Sequence, residues 1–358
     1  MKPDLGDKLA GVLLGTAVGD ALGVPREGLS PHRAERLFGT PPLRQRFFFG
    51  RGMVSDDTEH TCLLGRALLQ HPDRADDFER ALAWELRRWF VCLPSGLGRA
   101  TLRALLKLMI GFPPARSGVF SAGNGPAMRS ALLGVCLGHD PGRLKSFVHA
   151  ATWLTHTDPR AERGALLVAL AAHLGAEQGP SGVHADRFFA LVREQIPDAD
   201  AELTALLDRL QAGCHAGTSS AELARAMGLE QGITGYIYHT VPLALYGWLR
   251  HPADFRAAVT EVIALGGDAD TTGAIVGAIC GATVGAGSIP TEWIEGIADW
   301  PFSTHWMRTL AQRLTARFTE EGETTTPRII WPGLLGRNLF FLAVVLAHAA
   351  RRLLPPYG

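Results

Sequence analysis

Two short segments carry paired carboxylates: Ser55-Asp56-Asp57-Thr58, and Gly267-Asp268-Ala269-Asp270-Thr271-Thr272. Each sets two Asp and neighbouring hydroxyls at the start of a helical pattern. Carboxylate and hydroxyl oxygens suit hard cations such as Mg²⁺ and Ca²⁺. Helix N-capping is the competing reading, because Asp, Ser and Thr are favoured caps. One cap accounts for one Asp, and not for paired Asp twice. Side-by-side carboxylates also repel unless a cation stands between them. Asp56, Asp57, Asp268 and Asp270 together carry four negative charges. Two divalent cations about 3.5–4 Å apart would balance them.

Helices must position these groups. Apolar residues recur at helical spacing in segments 7–23, 57–70, 76–93, 159–175, 200–213 and 271–287, and strand-like alternation is nearly absent. Gly11, Gly15, Gly19 and Gly23 repeat every four residues, as do Gly273, Gly277, Gly281 and Gly285. That spacing lines each set along one helix ridge. A glycine inside a helix costs about 1 kcal/mol relative to Ala. Close helix–helix contact would offset that cost, so the two helices are expected at the centre of the protein. Turn-rich loops interrupt the helices at 111–125 and 176–182.

The expected architecture is all-α: a compact multi-helix domain over 1–318, a polar linker over 319–327, and an appended apolar helix in 328–358. Within the last, Leu339–Ala347 is an uninterrupted apolar run of nine residues. A membrane-spanning helix needs about 20. No transmembrane segment is therefore expected, and the helix should pack on the domain or on a partner. Its expected role is stability or assembly rather than chemistry. A monomer is anticipated, with this helix the route to a dimer.

Lys plus Arg and Asp plus Glu each number 35, so the formal charge is zero. That argues against a nucleic-acid-binding protein, which would carry a basic excess. The five cysteines are scattered and form no Cys-x-x-Cys pair, which disfavours a disulfide framework and a cysteine zinc site. The N-terminal residues lack the apolar run of a signal peptide, and a cytoplasmic location is expected.

Several segments resemble the ADP-ribosylglycohydrolase family, which includes the dinitrogenase-reductase-activating glycohydrolases and the ADP-ribosyl-acceptor hydrolases. Gly11–Gly23 looks like its opening helix, and Glu27 follows at the position of its N-terminal glutamate. Ser55-Asp56-Asp57-Thr58 matches the first metal motif, and Gly266–Gly273 is similar to the second. Gly123-Asn124-Gly125-Pro126-Ala127-Met128-Arg129 and Thr155-His156 match motifs between them. Order and spacing fit across residues 8–316.

The resemblance implies an all-α fold, two Mg²⁺ with Mn²⁺ as a substitute, and hydrolysis at C1″ of an ADP-ribosyl group. It implies Ser55, Asp56, Asp57, Asp268, Asp270 and Thr271 as metal ligands. Ser55 and His60 stand where the family more often has Thr and Met. Ser keeps a ligand oxygen. Glu27, Asp57 and Asp268 are the candidates for orienting water or moving a proton, and which one takes the proton is left open. Ser121, Gly123, Asn124 and Gly125 would contact the diphosphate, since glycines let backbone N–H groups approach phosphate. His156 would contact substrate, with a core histidine as the alternative. Asp158 before Pro159 reads as a helix cap. The ADP-ribosylated acceptor is open: a protein side chain, a nucleic-acid base or a small molecule. A non-catalytic relative of crystallin type, or a hydrolase of another nucleoside-type bond, are the alternatives.

Overall fold

A glycine ridge on each of two helices sets the centre of the molecule. The computed structural model describes residues 4–319 and 325–353. Among them are seventeen α-helices and no strand, with only isolated backbone bridges between loops. Four helices build the site: α1 (Leu5–Gly23), α2 (Asp56–Gln70), α3 (Ala269–Val284) and α4 (Trp331–Leu353).

Helices α1 and α3 run antiparallel in backbone contact. A Cβ on Gly11 would lie 2.1 Å from the Gly281 carbonyl oxygen, one on Gly15 2.1 Å from that of Gly277, and one on Gly19 1.9 Å from that of Gly273. Only glycine permits this approach, and the packing it allows offsets its poor helix propensity. Both helices are buried nearly all round. The antiparallel register brings the end of α1, with Asp20, to the start of α3, with Asp268 and Asp270. Helices Pro159–Gln178 and Ile237–Arg250 cover α3, and Thr304–Thr319 packs on α1.

Residues 320–324 of the expected linker lie outside the described residues, and α4 begins at Trp331. Within the apolar run Leu339–Ala347, expected to pack, only Phe341 and Val344 are buried; Leu339, Leu342 and Leu346 are exposed. The helix lies on the surface and buries one stripe against Val24, Phe47 and Met53. The nine-residue apolar run also understates its length. At 23 residues α4 is long and apolar enough to cross a membrane, as is Leu5–Arg26, by length and composition alone. The second of these is mostly buried inside the fold.

Candidate active site

Asp20 organises the first arm. It is fully buried near the end of α1, and its Oδ2 accepts from the Ser55 N–H at 2.9 Å, the Thr58 N–H at 3.2 Å and the Thr58 hydroxyl. Ser55 supplies the side-chain cap of α2: its Oγ accepts from the Asp57 N–H at 3.2 Å. The start of α2 is thus satisfied without either Asp carboxylate. At α3, Asp268 occupies the N-cap position but makes no side-chain capping bond. Capping therefore does not account for the paired carboxylates.

The second arm is shaped by backbone. Gly266 and Gly267 both have positive φ, and a Cβ on Gly267 would strike the Ile233 carbonyl oxygen at 2.0 Å. That close approach lets the Asp268 N–H donate to Ile233 at 2.8 Å and the Gly267 N–H donate to Leu29 at 2.7 Å. The Gly28 N–H returns a bond to Gly267 at 2.8 Å, which ties the Glu27 loop to the second carboxylate cluster. The two arms meet where the Asp57 Oδ2 accepts from the Ser55 hydroxyl at 3.0 Å and the Thr271 hydroxyl at 3.2 Å.

The 119–125 loop forms the third side. Val119 exchanges backbone bonds with Thr155 and Thr157, and Asn124 N–H donates to Gly235. The Asn124 amide donates to Asp268 Oδ2 at 2.7 Å and to Thr240 Oγ1 at 2.9 Å. Asn124 therefore orients a carboxylate as well as lining the loop. His156 is buried beneath the loop, and a Cβ on Gly123 would sit 3.0 Å from its Nε2. Its Nδ1 meets the Thr155 hydroxyl at 2.9 Å.

These parts enclose a cavity of about 480 Å³. Asp56, Asp268, Asp270 and Thr271 line it from the helix starts, Glu27 from the loop after α1, and Ser121, Gly123, Asn124, Gly125 and His156 from the other loops. Ser55 and Asp57 are buried and do not line it. A larger open groove of about 760 Å³ lies beside Arg44, Arg46 and Trp293 and contains none of these groups.

Burial and mutual repulsion dominate the electrostatics. Burial, followed by neighbouring carboxylates, pushes Asp56, Asp57 and Asp270 well above the usual carboxyl range. Asp20 is pushed up to about 6 by burial, against the bonds from Thr58 and Ser55. Glu27 is exposed at the cavity, yet the protein gathered around it and the Asp268 charge raise its carboxyl while Arg352 opposes. Burial, aided by the Arg129 charge, pushes His156 down to about 3.

Asp57 Oδ1, Asp270 Oδ1 and Asp20 Oδ1 are buried without a hydrogen-bond partner. Such orphaned oxygens are costly unless a cation or water meets them. Among the described residues, no three carboxylate, imidazole or thiol groups are gathered closely enough to hold a metal ion as they stand. The Asp57 carboxylate accepts from Ser55 and Thr271, and the Asp268 carboxylate from Asn124.

Sequence reasoning missed three residues. Asp20 left one signal, a lone charge between Gly19 and Ala21 in an apolar helix. Tyr236 lines the cavity, with its hydroxyl on Glu202 at 2.9 Å, whereas Tyr238 is core, with its hydroxyl on Asp200. Nothing in the sequence separates them. Arg129 is fully buried and holds the Ala151 carbonyl, the Thr155 hydroxyl and His60 Nδ1, so it braces the loops. Asp158 caps the helix after Thr155-His156 as expected, through the Arg160 N–H.

Fold and site together define an all-helical protein with a buried carboxylate centre beneath a loop-lined cavity. The sequence profile of the ADP-ribosylglycohydrolases matches residues 1–324, and the chain belongs to that family of hydrolases. An uncharacterised protein of Archaeoglobus fulgidus is 30% identical over 302 residues, 83% of this chain and 93% of its own. The ADP-ribosyl-[dinitrogen reductase] glycohydrolase of Rhodospirillum rubrum is 29% identical over 312 residues, 82% of this chain and 91% of its own. The human ADP-ribosylhydrolase ARH3 is 31% identical over 209 residues, 51% of this chain and 56% of its own. A solved structure titled ADP-ribosylglycohydrolase-related protein complex superposes with a TM-score of 0.65 at 28% identity, covering 87% of this chain and 98% of that one.

Proposed function

We propose that this chain hydrolyses the C1″ glycosidic bond of ADP-ribosylated substrates at a two-Mg²⁺ centre and releases ADP-ribose. The observation that carries the metal reading is the pair of orphaned buried oxygens, Asp57 Oδ1 and Asp270 Oδ1, one from each arm. The donor set is all oxygen, which fits a hard cation. Ser55, Asp56, Asp57, Asp268, Asp270 and Thr271 would hold the ions. Bound Mg²⁺ would supply Lewis acidity and positive charge against the aspartates.

The protein's own groups do the rest. Asn124 and Thr271 donate hydrogen bonds to the carboxylates of Asp268 and Asp57 and so orient both within the site. Glu27, with its raised proton affinity, stands at the cavity edge where it can take a proton from water. His156 is neutral at physiological pH and offers Nε2 beside Gly123 as a hydrogen-bonding group without charge. The backbone of Ser121–Gly125 would receive the diphosphate.

The reading is tested with a panel of ADP-ribosylated arginine, serine, nucleic-acid and small-molecule acceptors. Free ADP-ribose is measured in Mg²⁺ and in EDTA. Release in Mg²⁺, lost in EDTA and in Asp268→Ala/Asp270→Ala, is expected. Full activity of that double variant would refute the assignment.

A further inference from the structure

Helix α4 lies beyond the family-matched residues 1–324, yet it touches both arms of the site. At its start, the Arg337 guanidinium is buried and pairs with Asp299 at 2.6 Å and with Glu59 of α2 at 3.0 Å. Arg337 also donates to the Val54 carbonyl, and Asp299 accepts the Val54 N–H at 2.9 Å. Both backbone groups of Val54, immediately before Ser55, are fixed in this way.

At its end, Arg352 donates to the Glu27 carbonyl at 3.0 Å and to the Pro25 carbonyl at 2.9 Å. Between the two, His348 Nε2–H donates to the Phe47 carbonyl at 2.8 Å and its ring stacks on Phe47. Behind the carboxylates this leaves a second, smaller cavity of about 100 Å³. Glu27, Asp56 and Asp270 line it from the site, and Val345, His348 and Arg352 from α4. The carboxylates therefore form a partition, with the main cavity on one side and the wall of α4 on the other.

We propose that α4 is a working wall of the active site, and that Arg352 is a positioning residue that holds the Glu27 loop in register with the second carboxylate cluster. The planar guanidinium spans two carbonyls of one turn, which a flexible chain with a single ammonium cannot do as well. The loop it holds makes the Gly28–Gly267–Leu29 backbone bonds, so a shift at Glu27 is passed to the residue before Asp268. Misplacing a group by about 1 Å can cost up to a hundredfold in rate. This replaces the expectation that α4 serves stability or assembly alone.

The proposal rests on Glu27 acting in the site as proposed above, and two readouts keep the two ideas apart. Arg352→Met, Arg352→Lys and the exposed neighbour control Arg351→Met are compared in the full chain. Hydrogen exchange at Gly28 and Leu29 should be several-fold faster in Arg352→Met, less so in Arg352→Lys, and unchanged in Arg351→Met. With an accepted substrate, kcat of Arg352→Met should fall about tenfold or more with KM held, and Lys should restore part of it. General unfolding would also raise exchange in α1, and the Lys variant then carries the comparison. Wild-type exchange in Arg352→Met, or an equal loss in Arg351→Met, overturns the proposal. A wild-type protein inactive on every acceptor overturns the proposed function, while exchange at Gly28 and Leu29 still decides the role of Arg352.

Discussion

Replacing Gly19 by Ala adds one methyl group at the tightest point of the contact between α1 and α3. The new carbon would sit 1.9 Å from the Gly273 carbonyl oxygen and 2.4 Å from its carbon. A comfortable non-bonded separation is about 3.5 Å, so α1 and α3 must part by roughly 1.5 Å or twist. Neither helix has a flexible side chain at this point to give way, because both surfaces are backbone. Separation opens voids along the rest of the ridge, where Gly11 and Gly15 meet Gly281 and Gly277. Overpacking of this kind costs about 1–3 kcal/mol or more, against a helix-propensity gain of about 1 kcal/mol for Ala. A net loss of about 2 kcal/mol, the upper end of that balance, corresponds to a fall in Tm of roughly 4–8 °C for a domain of this class. The site should suffer as well, since Asp20 and Asp268 are carried by the two ends that part. Gly336→Ala is the control: it lies in α4 with nothing within 4 Å of its Cβ position. Calorimetric melts of both variants decide the matter. If Gly19→Ala melts with Gly336→Ala, backbone contact does not hold α1 to α3.

Arg337→Met should destabilise by about 3–5 kcal/mol in denaturant titration, because it strands the buried Glu59 and Asp299 carboxylates; a loss below about 1 kcal/mol would refute the buried pairing. Asp56, Asp57 and Asp270 have folded pKa values raised above their unfolded ones, so the folded state without a cation holds protons that the unfolded state releases, and stability falls as pH rises through that interval. A cation reverses this, so the gain in Tm from Mg²⁺ over EDTA should grow as pH rises above the ordinary carboxyl range, and a flat difference would argue against a carboxylate metal centre. His156 is lowered to about 3 by burial, so it stays neutral in the folded state while the unfolded state protonates below about 6.5. Its contribution is present above that pH and is lost on acidification, so His156→Asn should flatten the acid side of the Tm profile; an unchanged profile counts against a buried neutral imidazole. Gly123→Val would place its Cβ 3.0 Å from His156 Nε2 and should weaken ADP-ribose binding, which calorimetry on the folded variant can read.

The carboxylate pairs, the glycine spacing and the helical periodicities are local patterns, and each was legible one residue at a time. Asp56-Asp57 and Asp268-x-Asp270 offered an oxygen-rich centre, although adjacency alone does not make one, since Asp76-Asp77 starts another helix near the surface. The four-residue glycine repeats declared a close helix pair because nothing else offsets their helix cost. What the sequence left open was which groups face which. Helix capping and metal binding compete for the same residue types, and only the fold shows that Asp20 and Ser55 satisfy the start of α2, leaving Asp57 Oδ1 unpartnered. Tyr236 and Tyr238 are two positions apart, and only packing sends one to the cavity and the other to the core. Leu339 and Phe341 are equally apolar, yet one is exposed and the other buried, because α4 meets the protein along one stripe. Composition fixes how much apolar surface a helix has, whereas burial depends on what stands opposite. Arg352 and Glu27 are 325 residues apart, and no local pattern relates them. Their meeting is a property of the tertiary structure, since the free energy that joins them comes from the burial of α4 against Phe47 and Val24.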